Sequence, residues 1–452
     1  MALDRTLPRW CAAALLLLVL GQAQGTNLFD IPAALPPRVV GPDYFGTHFH
    51  RLDHAEREFP ATAWPDDLVG SLRLWDSGTR WADVEPSPDR FDFARLDEHV
   101  AQALAHHASV SLVLGSPPPW ASARPREAGP YGPGSAAEPR DLATWDRYLD
   151  AVMRRYKGRI SQYELWNEPY FSDVDADIGR GNAFFTGSVA TMVALARHAR
   201  AAIAREDPQA SLLTPGFVGA TNRLDLFLKA GGANLVDGVA YHLYVEDDAE
   251  FVHLVTDVRA VMARNGLAHR LLTNTESGFA IRGVEGQPAG DGQPRVDRRR
   301  AAALLAQTLV LGANLGVARY YQYAWDNGRM GMLLPDGRSG TDSLRAWTAA
   351  RRWLLGTTLE GCRGLAGGGV RCTGTRGGDR LFVAWRIDPD ASATFALPED
   401  WHAIAIDHVG DDKPVAVDAD ADELALPADG MPIAIWARPG APARHTRVIE
   451  SR

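Results

Sequence analysis

Two glutamates that each end a short apolar run carry the clearest chemical signal in the sequence. Glu168 lies in Trp166-Asn167-Glu168-Pro169, and Glu276 lies in Asn274-Thr275-Glu276-Ser277. Pro169 has no backbone N–H to donate to a sheet and therefore ends the first run directly after the carboxylate. Two carboxyl groups that face one cavity are what the hydrolysis of a glycosidic bond requires. We therefore take Glu168 and Glu276 as candidate catalysts.

Short apolar runs alternate along the chain with longer stretches of helical period, a pattern typical of βα units. The predicted strands are Tyr44–His48, Leu72–Trp75, Val110–Leu114, Gln162–Trp166, Ser211–Thr214, Gly238–His242, Leu271–Asn274 and Arg319–Ala324. The predicted helices between and after them are Phe93–His106, Leu142–Tyr156, Val189–Ala204, Ala249–Arg264, Arg299–Leu315 and Leu344–Leu354. Eight repeats favour a closed (β/α)8 barrel over an open doubly wound sheet.

On that barrel the two glutamates lie at the mouths of the fourth and seventh strands and face one cavity. Glu164 points to the same side of its strand as Glu168, because side chains alternate with period two. It lies deeper, however, and we expect it to be the less suitable catalyst. The structural alternative is that Glu168 and Glu276 form ion pairs with Arg73 and other arginines at the rim of the barrel and have no catalytic role.

The amino-acid composition changes after residue 355, where Gly, Asp and Pro become frequent. Alternating runs at Arg380–Trp385, Ala403–Ile406 and Pro432–Trp436 predict a small antiparallel β domain. The fold class is therefore α/β, a (β/α)8 barrel with a small C-terminal antiparallel β domain. We place a signal peptide at 1–25, the catalytic barrel at 26–355 and a β-sandwich-like accessory domain at 356–452, with the boundary near Gly356.

Residues 1–25 resemble a secretory signal. Arg5 and Arg9 form a basic flank, an apolar run follows from Cys11 to Leu20, and Gly21-Gln22-Ala23 offers small residues for cleavage. The run is about half the ~20 residues that a spanning helix needs. We expect a secreted or periplasmic protein without a spanning segment in the mature chain, or one loosely held to the membrane by an uncleaved N-terminus.

The amino-acid composition and net charge indicate which classes of binding partner the protein has. The 452 residues are 46% apolar and 23% charged, with a formal net charge of −9, and the only dense basic run, 298–300, stands where a helix should begin. This argues against a nucleic-acid partner. We expect a monomer that needs no cofactor and no metal.

Two cysteines remain after removal of the signal, Cys362 and Cys372, both flanked by glycines in nearby sequence. In an oxidising compartment we expect them to form a disulfide across a short loop. The alternative is a pair of buried free thiols.

Two long loops rich in Pro and Gly follow the third and seventh strands, Ser116–Pro139 and Ser277–Pro294. Active sites of such barrels lie at the carboxyl ends of the strands, so these loops are expected to wall the catalytic face. The alternative is that they are tolerated insertions.

These motifs resemble those of the retaining glycoside hydrolases of clan A, the superfamily that contains families 5 and 39. The resemblance covers roughly residues 41–355. It rests on the strand-four Asn-Glu, the strand-seven Glu, Arg73 on strand two, Tyr241-His242-Leu243-Tyr244 after strand six and Trp325 after strand eight. Three motifs are most similar in sequence to those of bacterial family 39 hydrolases of exopolysaccharide loci: Phe45–His50, Leu72–Gly78 and Tyr323–Asn327.

The resemblance implies that Glu168 is the acid/base, that Glu276 is the nucleophile, and that Asn167 binds the sugar 2-hydroxyl. The substrate would be a polysaccharide or oligosaccharide. Elementary electrostatics agrees with these roles, since an ionised Glu276 nearby raises the pKa of Glu168. Arg73 and the Tyr244 hydroxyl, if they touch Glu276, would keep it ionised. As alternatives, Arg73 would form a structural ion pair, and His242 and Tyr244 would be ordinary rim residues.

Four tryptophans, Trp75, Trp120, Trp166 and Trp325, fall at or just beyond predicted strand ends. Indole faces pack well against pyranose rings and would line a sugar cleft; the alternative for each tryptophan is a place in the core. We place His48 or His50 at the sugar subsite.

Three alternatives were weighed against this reading. His48-Phe49-His50 also resembles the opening of a metal-dependent amidohydrolase site that His242 and Asp326 would complete, but strand four brings no lysine and strand five no histidine. A non-catalytic carbohydrate-binding protein would need neither carboxylate. Within the clan, an exo-acting xylosidase- or iduronidase-like enzyme is the alternative to cleavage inside a polysaccharide.

Overall fold

The computed structural model describes residues 28–34, 36–56, 59–179, 183–282, 296–387, 392–398, 401–419 and 424–439. The expected signal peptide at 1–25 lies outside the described residues, as does most of the loop predicted at Ser277–Pro294. Among the residues that are described, no helix is both long and apolar enough to cross a membrane.

The strands are numbered in chain order. They are β1 Ile31–Pro32, β2 Phe45–Thr47, β3 Ser71–Leu74, β4 Ser109–Val113, β5 Gln162–Glu164, β6 Ser211–Leu213, β7 Phe217–Val218, β8 Gly238–His242, β9 Leu271–Ser277, β10 Val317–Gln322, β11 Thr358–Leu365, β12 Gly369–Arg376, β13 Asp379–Arg386, β14 Thr394–Phe395, β15 Trp401–His408, β16 Val415–Ala419, β17 Leu424–Ala425 and β18 Ile433–Pro439.

The α-helices are α1 Trp81–Val84, α2 Ala94–Ala105, α3 Leu142–Arg155, α4 Val189–Glu206, α5 Asn222–Lys229, α6 Asp248–Arg264, α7 Arg298–Asn314 and α8 Asp342–Leu354. Four helices begin at a capping side chain that accepts from a backbone N–H three residues on, as the sequence chemistry of helix starts predicts; these caps are Asp141, Ser188, Asp247 and Asp297.

Eight parallel strands form a closed barrel. They are β2, β3, β4, β5, β6, β8, β9 and β10, and pairing of Leu213 with Gly238 closes the ring between β6 and β8. Strands such as β3 and β8 are buried at every position, because helices cover the outside and side chains fill the inside. The predicted (β/α)8 barrel is confirmed, and each predicted strand overlaps an observed one.

The C-terminal region forms a seven-stranded antiparallel sheet in the order β1-β11-β12-β13-β18-β15-β16. Its edge strand, β1, comes from the start of the described chain, where Ile31 pairs with Cys362. Polar contacts tie this sheet to the barrel: the Trp385 indole N–H donates to Asp248 at 2.8 Å, and Arg352 pairs with the buried Asp407. The predicted C-terminal antiparallel β domain is therefore present.

A disulfide joins Cys362 on β11 to Cys372 on β12. The two residues are direct cross-strand partners, and both side chains are buried. The neighbouring pair in the same register is Arg363 with Arg371. Because side chains alternate along a strand, the arginines lie on the face opposite the disulfide.

Candidate active site

The backbone at the end of the fourth barrel strand presents Glu168 in an unusual conformation. Asn167 forms a bridge with Gly216, and the Glu168 N–H donates to the Gly216 carbonyl at 2.9 Å. Glu168 has a φ of 36°, in the left-handed region that non-glycine residues rarely adopt. Backbone strain of this kind clusters at functional sites, where surrounding contacts maintain it.

Gly216 is required where it stands because the site is packed against its backbone. A Cβ at this position would lie 2.3 Å from Oε1 of Glu164 and 2.6 Å from Nε2 of His242. These distances are shorter than any side chain tolerates, so the residue opposite Asn167 and Glu168 has to be glycine.

Glu276 lies within β9, the seventh strand of the barrel, and both of its carboxylate oxygens meet a donor. Oε2 accepts from Arg73 Nη1 at 3.0 Å, and Oε1 accepts from the Tyr244 hydroxyl at 2.7 Å. A guanidinium and a hydroxyl that both donate favour the ionised form of a carboxyl group. Glu276 is thereby equipped to remain a carboxylate.

The two glutamates lie close together across the barrel mouth. A carboxyl oxygen of Glu168 lies within 4.8 Å of one of Glu276. Separations of about 5–5.5 Å accompany double displacement at a sugar carbon, whereas about 6.5–9.5 Å leaves room for a water between the groups. One oxygen of each carboxyl group therefore lies close to the other group, as double displacement needs.

Arg73 lies beneath the pair and is fully engaged. Its Nε and Nη2 donate to the two oxygens of Glu164, each at 2.7 Å, while Nη1 reaches Glu276. Glu164 is completely buried and serves as the counter-ion of Arg73. This explains physically why Glu164, although it shares a strand face with Glu168, is not placed to react.

His242 connects this ion-pair network to Glu168. Its Nε2 faces Arg73 Nη2 at 3.4 Å, and a guanidinium can only donate, so Nε2 must carry the lone pair. The proton then lies on Nδ1, which donates to Glu168 Oε1 at 2.8 Å. Burial lowers the pKa of His242 to about 4, so the imidazole is neutral at ordinary pH.

Burial raises the pKa of Glu168 to about 7, against the opposing effects of Arg73 and Arg223. Burial also raises the pKa of Glu276, with His242 and Arg73 acting in the opposite direction. Glu276 meets two donors, one of them a permanent cation, whereas Glu168 meets one neutral donor. We therefore assign the proton of the pair to Glu168, and because Oε1 accepts from His242, the proton lies on Oε2.

The structure corrects the expected cause of the raised pKa of Glu168. Sequence reasoning attributed the raised pKa of Glu168 to the charge of Glu276, whereas burial is its largest cause in the structure.

Asn167 also belongs to the hydrogen-bond network around Arg73, since its Oδ1 accepts from Arg73 Nη2 at 2.9 Å. That contact leaves the amide N–H2 group as the donor for a ligand hydroxyl.

His48 and His50 occupy different environments at the first barrel strand. His48 is 1% exposed, its Nε2 lies 3.1 Å from the Thr275 carbonyl, and burial lowers its pKa well below the usual value. His50 is half-buried with its Nε2 3.4 Å from Asp76. Burial lowers the pKa of His50, but the Asp76 carboxylate outweighs this effect and raises it to about 9.

Asp76 and Tyr323 are residues of this site that sequence reasoning did not single out. The Tyr323 hydroxyl donates to Asp76 Oδ2 at 2.5 Å, and its ring packs against those of His48 and His50. Asp76 follows β3 by two positions and Tyr323 directly follows β10. Their positions just past strand ends were the available signal.

The tryptophans predicted near the cleft are mostly interior. Trp75, Trp166 and Trp325 are at most 2% exposed, and Trp325 packs against Phe49. Trp120 is half-buried, and its indole N–H donates to the Glu85 carbonyl at 3.1 Å. Of the four, Trp120 alone retains substantial exposure.

Ligand-type atoms of Glu168, His242 and Glu276 lie within 4.8 Å of one another, close enough for a metal ion. Both nitrogens of His242 are already engaged, and the Arg73 guanidinium occupies the position beside Glu276. Asp326, the other acid of the amidohydrolase alternative, accepts instead from the backbone N–H groups of His50 and Arg51 at 2.8 and 2.9 Å. The donor set fits a hydrogen-bonded carboxyl pair better than a cation.

Comparisons with solved structures find the same architecture in several glycoside hydrolases. A glucosidase from Croceicoccus marinus matches with a TM-score of 0.60 at 15% identity, covering 91% of this chain and 98% of its own. A GH30 endoxylanase from Clostridium papyrosolvens C71 matches with 0.59 at 14%, covering 91% and 100%, and a family 44 xyloglucanase from Paenibacillus polymyxa with 0.56 at 10%, covering 89% and 98%.

No protein-family model and no curated protein sequence matches the chain. At these identities the structural likeness shows the fold, a barrel with an attached β domain, over almost the whole length of both chains.

Proposed function

We propose that the protein is a retaining glycoside hydrolase of the clan A type, with Glu168 as acid/base and Glu276 as nucleophile. The carrying observation is the pair of carboxyl groups within 4.8 Å, of which one meets two donors and the other meets a single neutral one. A close pair of carboxyl groups with unequal protonation is what double displacement requires.

In the first half-reaction, Glu168 Oε2 gives its proton to the glycosidic oxygen as the bond to the anomeric carbon breaks. Glu276 attacks that carbon from the opposite side and forms a glycosyl ester, so its charge disappears. In the second half, Glu168, now a carboxylate, takes a proton from water while the water oxygen displaces Glu276. Glu168 ends protonated and Glu276 ionised, as at the start.

The supporting residues divide the remaining work. Arg73 and Tyr244 stabilise Glu276 as the leaving carboxylate, and the Asn167 amide donates to the sugar 2-hydroxyl. His242 Nδ1–H fixes one oxygen of Glu168, which orients the other toward the leaving group. His50, whose raised pKa keeps it cationic at neutral pH, and Asp76 lie at the rim as contacts for sugar hydroxyls.

For the substrate we propose O-glycosidic bonds of a polysaccharide, in particular a bacterial exopolysaccharide met by a secreted or periplasmic enzyme. The support is the similarity of the Phe45–His50 and Tyr323–Asn327 motifs to family 39 members together with the signal-like N-terminus. The structural neighbours include a glucosidase, an endoxylanase and a xyloglucanase, which is in accord with a carbohydrate substrate.

The decisive experiment replaces Glu276 by Gln and measures hydrolysis of a panel of aryl glycosides and defined oligosaccharides. We expect a loss of about 10⁴-fold or more in kcat with the fold intact, while the matched surface variant Glu98→Gln keeps full activity. The anomeric configuration of the first product, followed by NMR, should be that of the substrate. Substantial activity in Glu276→Gln, or an inverted product, refutes the assignment.

Glu168→Gln separates the acid role from the nucleophile role. Poor leaving groups need protonation and activated aryl groups do not, so we expect losses of about 10²–10⁴-fold on natural linkages and far smaller losses on dinitrophenyl glycosides in the first half-reaction. Equal losses on both would contradict an acid role for Glu168.

A further inference from the structure

A large cavity lies in the C-terminal β domain, beside the edge where β1 joins β11. Its volume is about 790 Å³, within the range of small-molecule binding sites. The walls come from the β1 segment, from β11, β12 and β13, and from the start of β15. Nothing in the proposed reaction uses this cavity.

Three arginines line the cavity, one from each of three neighbouring strands: Arg363, Arg371 and Arg380. Arg380 pairs with Glu360. Within the described part of the chain, neither Arg363 nor Arg371 forms an ion pair, and Nε of Arg371 is buried without a hydrogen-bond partner. Asp30 also lines the cavity, so three arginines face two carboxylates, Asp30 and Glu360, and the lining keeps one net positive charge.

The placement of Arg363 and Arg371 is unfavourable in the absence of an anion. They are direct partners across β11 and β12, and like charges directly opposite one another destabilise a sheet. Burial and the nearby Arg363 and Arg380 lower the pKa of Arg371, which shows the same repulsion. An anion bound between the guanidinium groups would remove it.

Two features hold this unfavourable arrangement in place. The disulfide Cys362–Cys372 is the adjacent cross-strand pair and fixes the register that sets the two arginines opposite each other. Aromatic rings support the guanidinium planes: Arg371 lies over Phe382 at 5.7 Å. Stacking leaves the N–H edges of a guanidinium free to donate.

The cavity also contains an aromatic surface suited to a sugar. Trp401 is half-buried, lines the wall and packs against Arg380 at 5.2 Å from its ring centroid. Indole faces pack against the apolar faces of pyranose rings, and guanidinium groups bind carboxylates through paired N–H donors. Together these groups match a sugar that carries a carboxylate.

We propose that this cavity is a second carbohydrate site that binds uronic acid residues of an anionic polysaccharide through Arg363 and Arg371. The proposal rests on the proposed function for the nature of the polymer and narrows its substrate to an acidic one. A site of this kind keeps the barrel on its substrate by adding a second attachment point.

The test uses full-length protein carrying Glu276→Gln, so that no probe is hydrolysed. Titration calorimetry with an oligogalacturonate should detect binding that weakens about tenfold or more when Arg363→Gln and Arg371→Gln are added. The same oligosaccharide with its carboxylates reduced to alcohols should bind weakly, and it should bind the parent and the arginine variant equally. Arg345→Gln with Arg438→Gln, exposed arginines with the same charge change, should bind as the parent does.

Equal binding of the oligogalacturonate by the parent and the Arg363/Arg371 variant overturns the proposal. So does a result in which inorganic sulfate alone shows the arginine dependence, because that identifies an anion site and not a saccharide site. The arginine variant with Glu276 restored should hydrolyse small aryl glycosides at the unchanged rate, which shows that it folds. A wild-type protein without hydrolytic activity would refute the proposed function and leave the binding result standing.

Discussion

Removal of the Arg73 guanidinium should affect stability and catalysis by two separable routes. In Arg73→Met, Glu164 stays completely buried but loses both of its charged donors, each now at 2.7 Å. Breaking a buried ion pair by removal of one partner costs about 3–5 kcal/mol, and we expect a loss of that size in the free energy of unfolding.

The catalytic effect arises from a different contact. Glu276 loses a charge-assisted hydrogen bond of 3.0 Å, worth about 1.5–3 kcal/mol, and because that bond favours the ionised form, its loss raises the pKa of Glu276. A nucleophile must be ionised, so a higher pKa requires a higher pH for activity. The acidic limb of the kcat/KM profile should therefore move to higher pH.

A second substitution distinguishes the two routes. Arg73→Met combined with Glu164→Gln removes both buried charges and should recover most of the lost stability in urea unfolding, yet the acidic limb should stay displaced. Arg352→Met, which leaves the buried Asp407 without its guanidinium, should cost similar stability without moving the pH profile. If the double variant regains a normal profile, or if Arg73→Met leaves the acidic limb in place, the role assigned to Arg73 is refuted.

The remaining predictions are independent of that network. Because the pKa of Glu168 is raised to about 7 and the acid must be protonated, kcat/KM should fall as pH rises through about 7, and Glu168→Gln should abolish that limb on activated substrates; a limb that survives would exclude Glu168 as its source. Gly216→Ala should reduce activity by about tenfold or more through displacement of the carboxyl network, whereas Gly328→Ala, where the new methyl meets open space, should match wild type. The purified protein should show no free thiol from Cys362 and Cys372, and reduction should cost about 2–3 kcal/mol of stability; two titratable thiols would reject the disulfide.

The barrel could be predicted from sequence because its evidence is repeated. The predicted helix Ala249–Arg264 differs from α6 by one residue, and Gly238–His242 coincides with β8. Periodicity identifies elements whose burial is continuous along one face. It did not find α1 or α5, which are short, or β11 and β12, where glycine and arginine interrupt the apolar pattern.

The positions of the site residues could be predicted only where the topology of the chain sets them. Glu168 follows β5 and Glu276 lies near the end of β9, so their meeting at one mouth follows from the closed topology. The proton position on Glu168 could not be predicted, because it depends on which nitrogen of His242 faces Arg73. The same holds for Trp325, which follows a strand end but turns into the core beside Phe49.

The pairing of β1 with β11 means that the chain leaves the C-terminal sheet before it enters the barrel and returns afterwards. The sheet is consequently not a module that a cut near Gly356 would release whole. A fragment starting there would lack its edge strand and one wall of the arginine cavity. Transplanting this sheet onto another barrel would require moving the segments before and after the barrel together. The sheet and the barrel that its segments flank in sequence are therefore expected to be inherited as one unit.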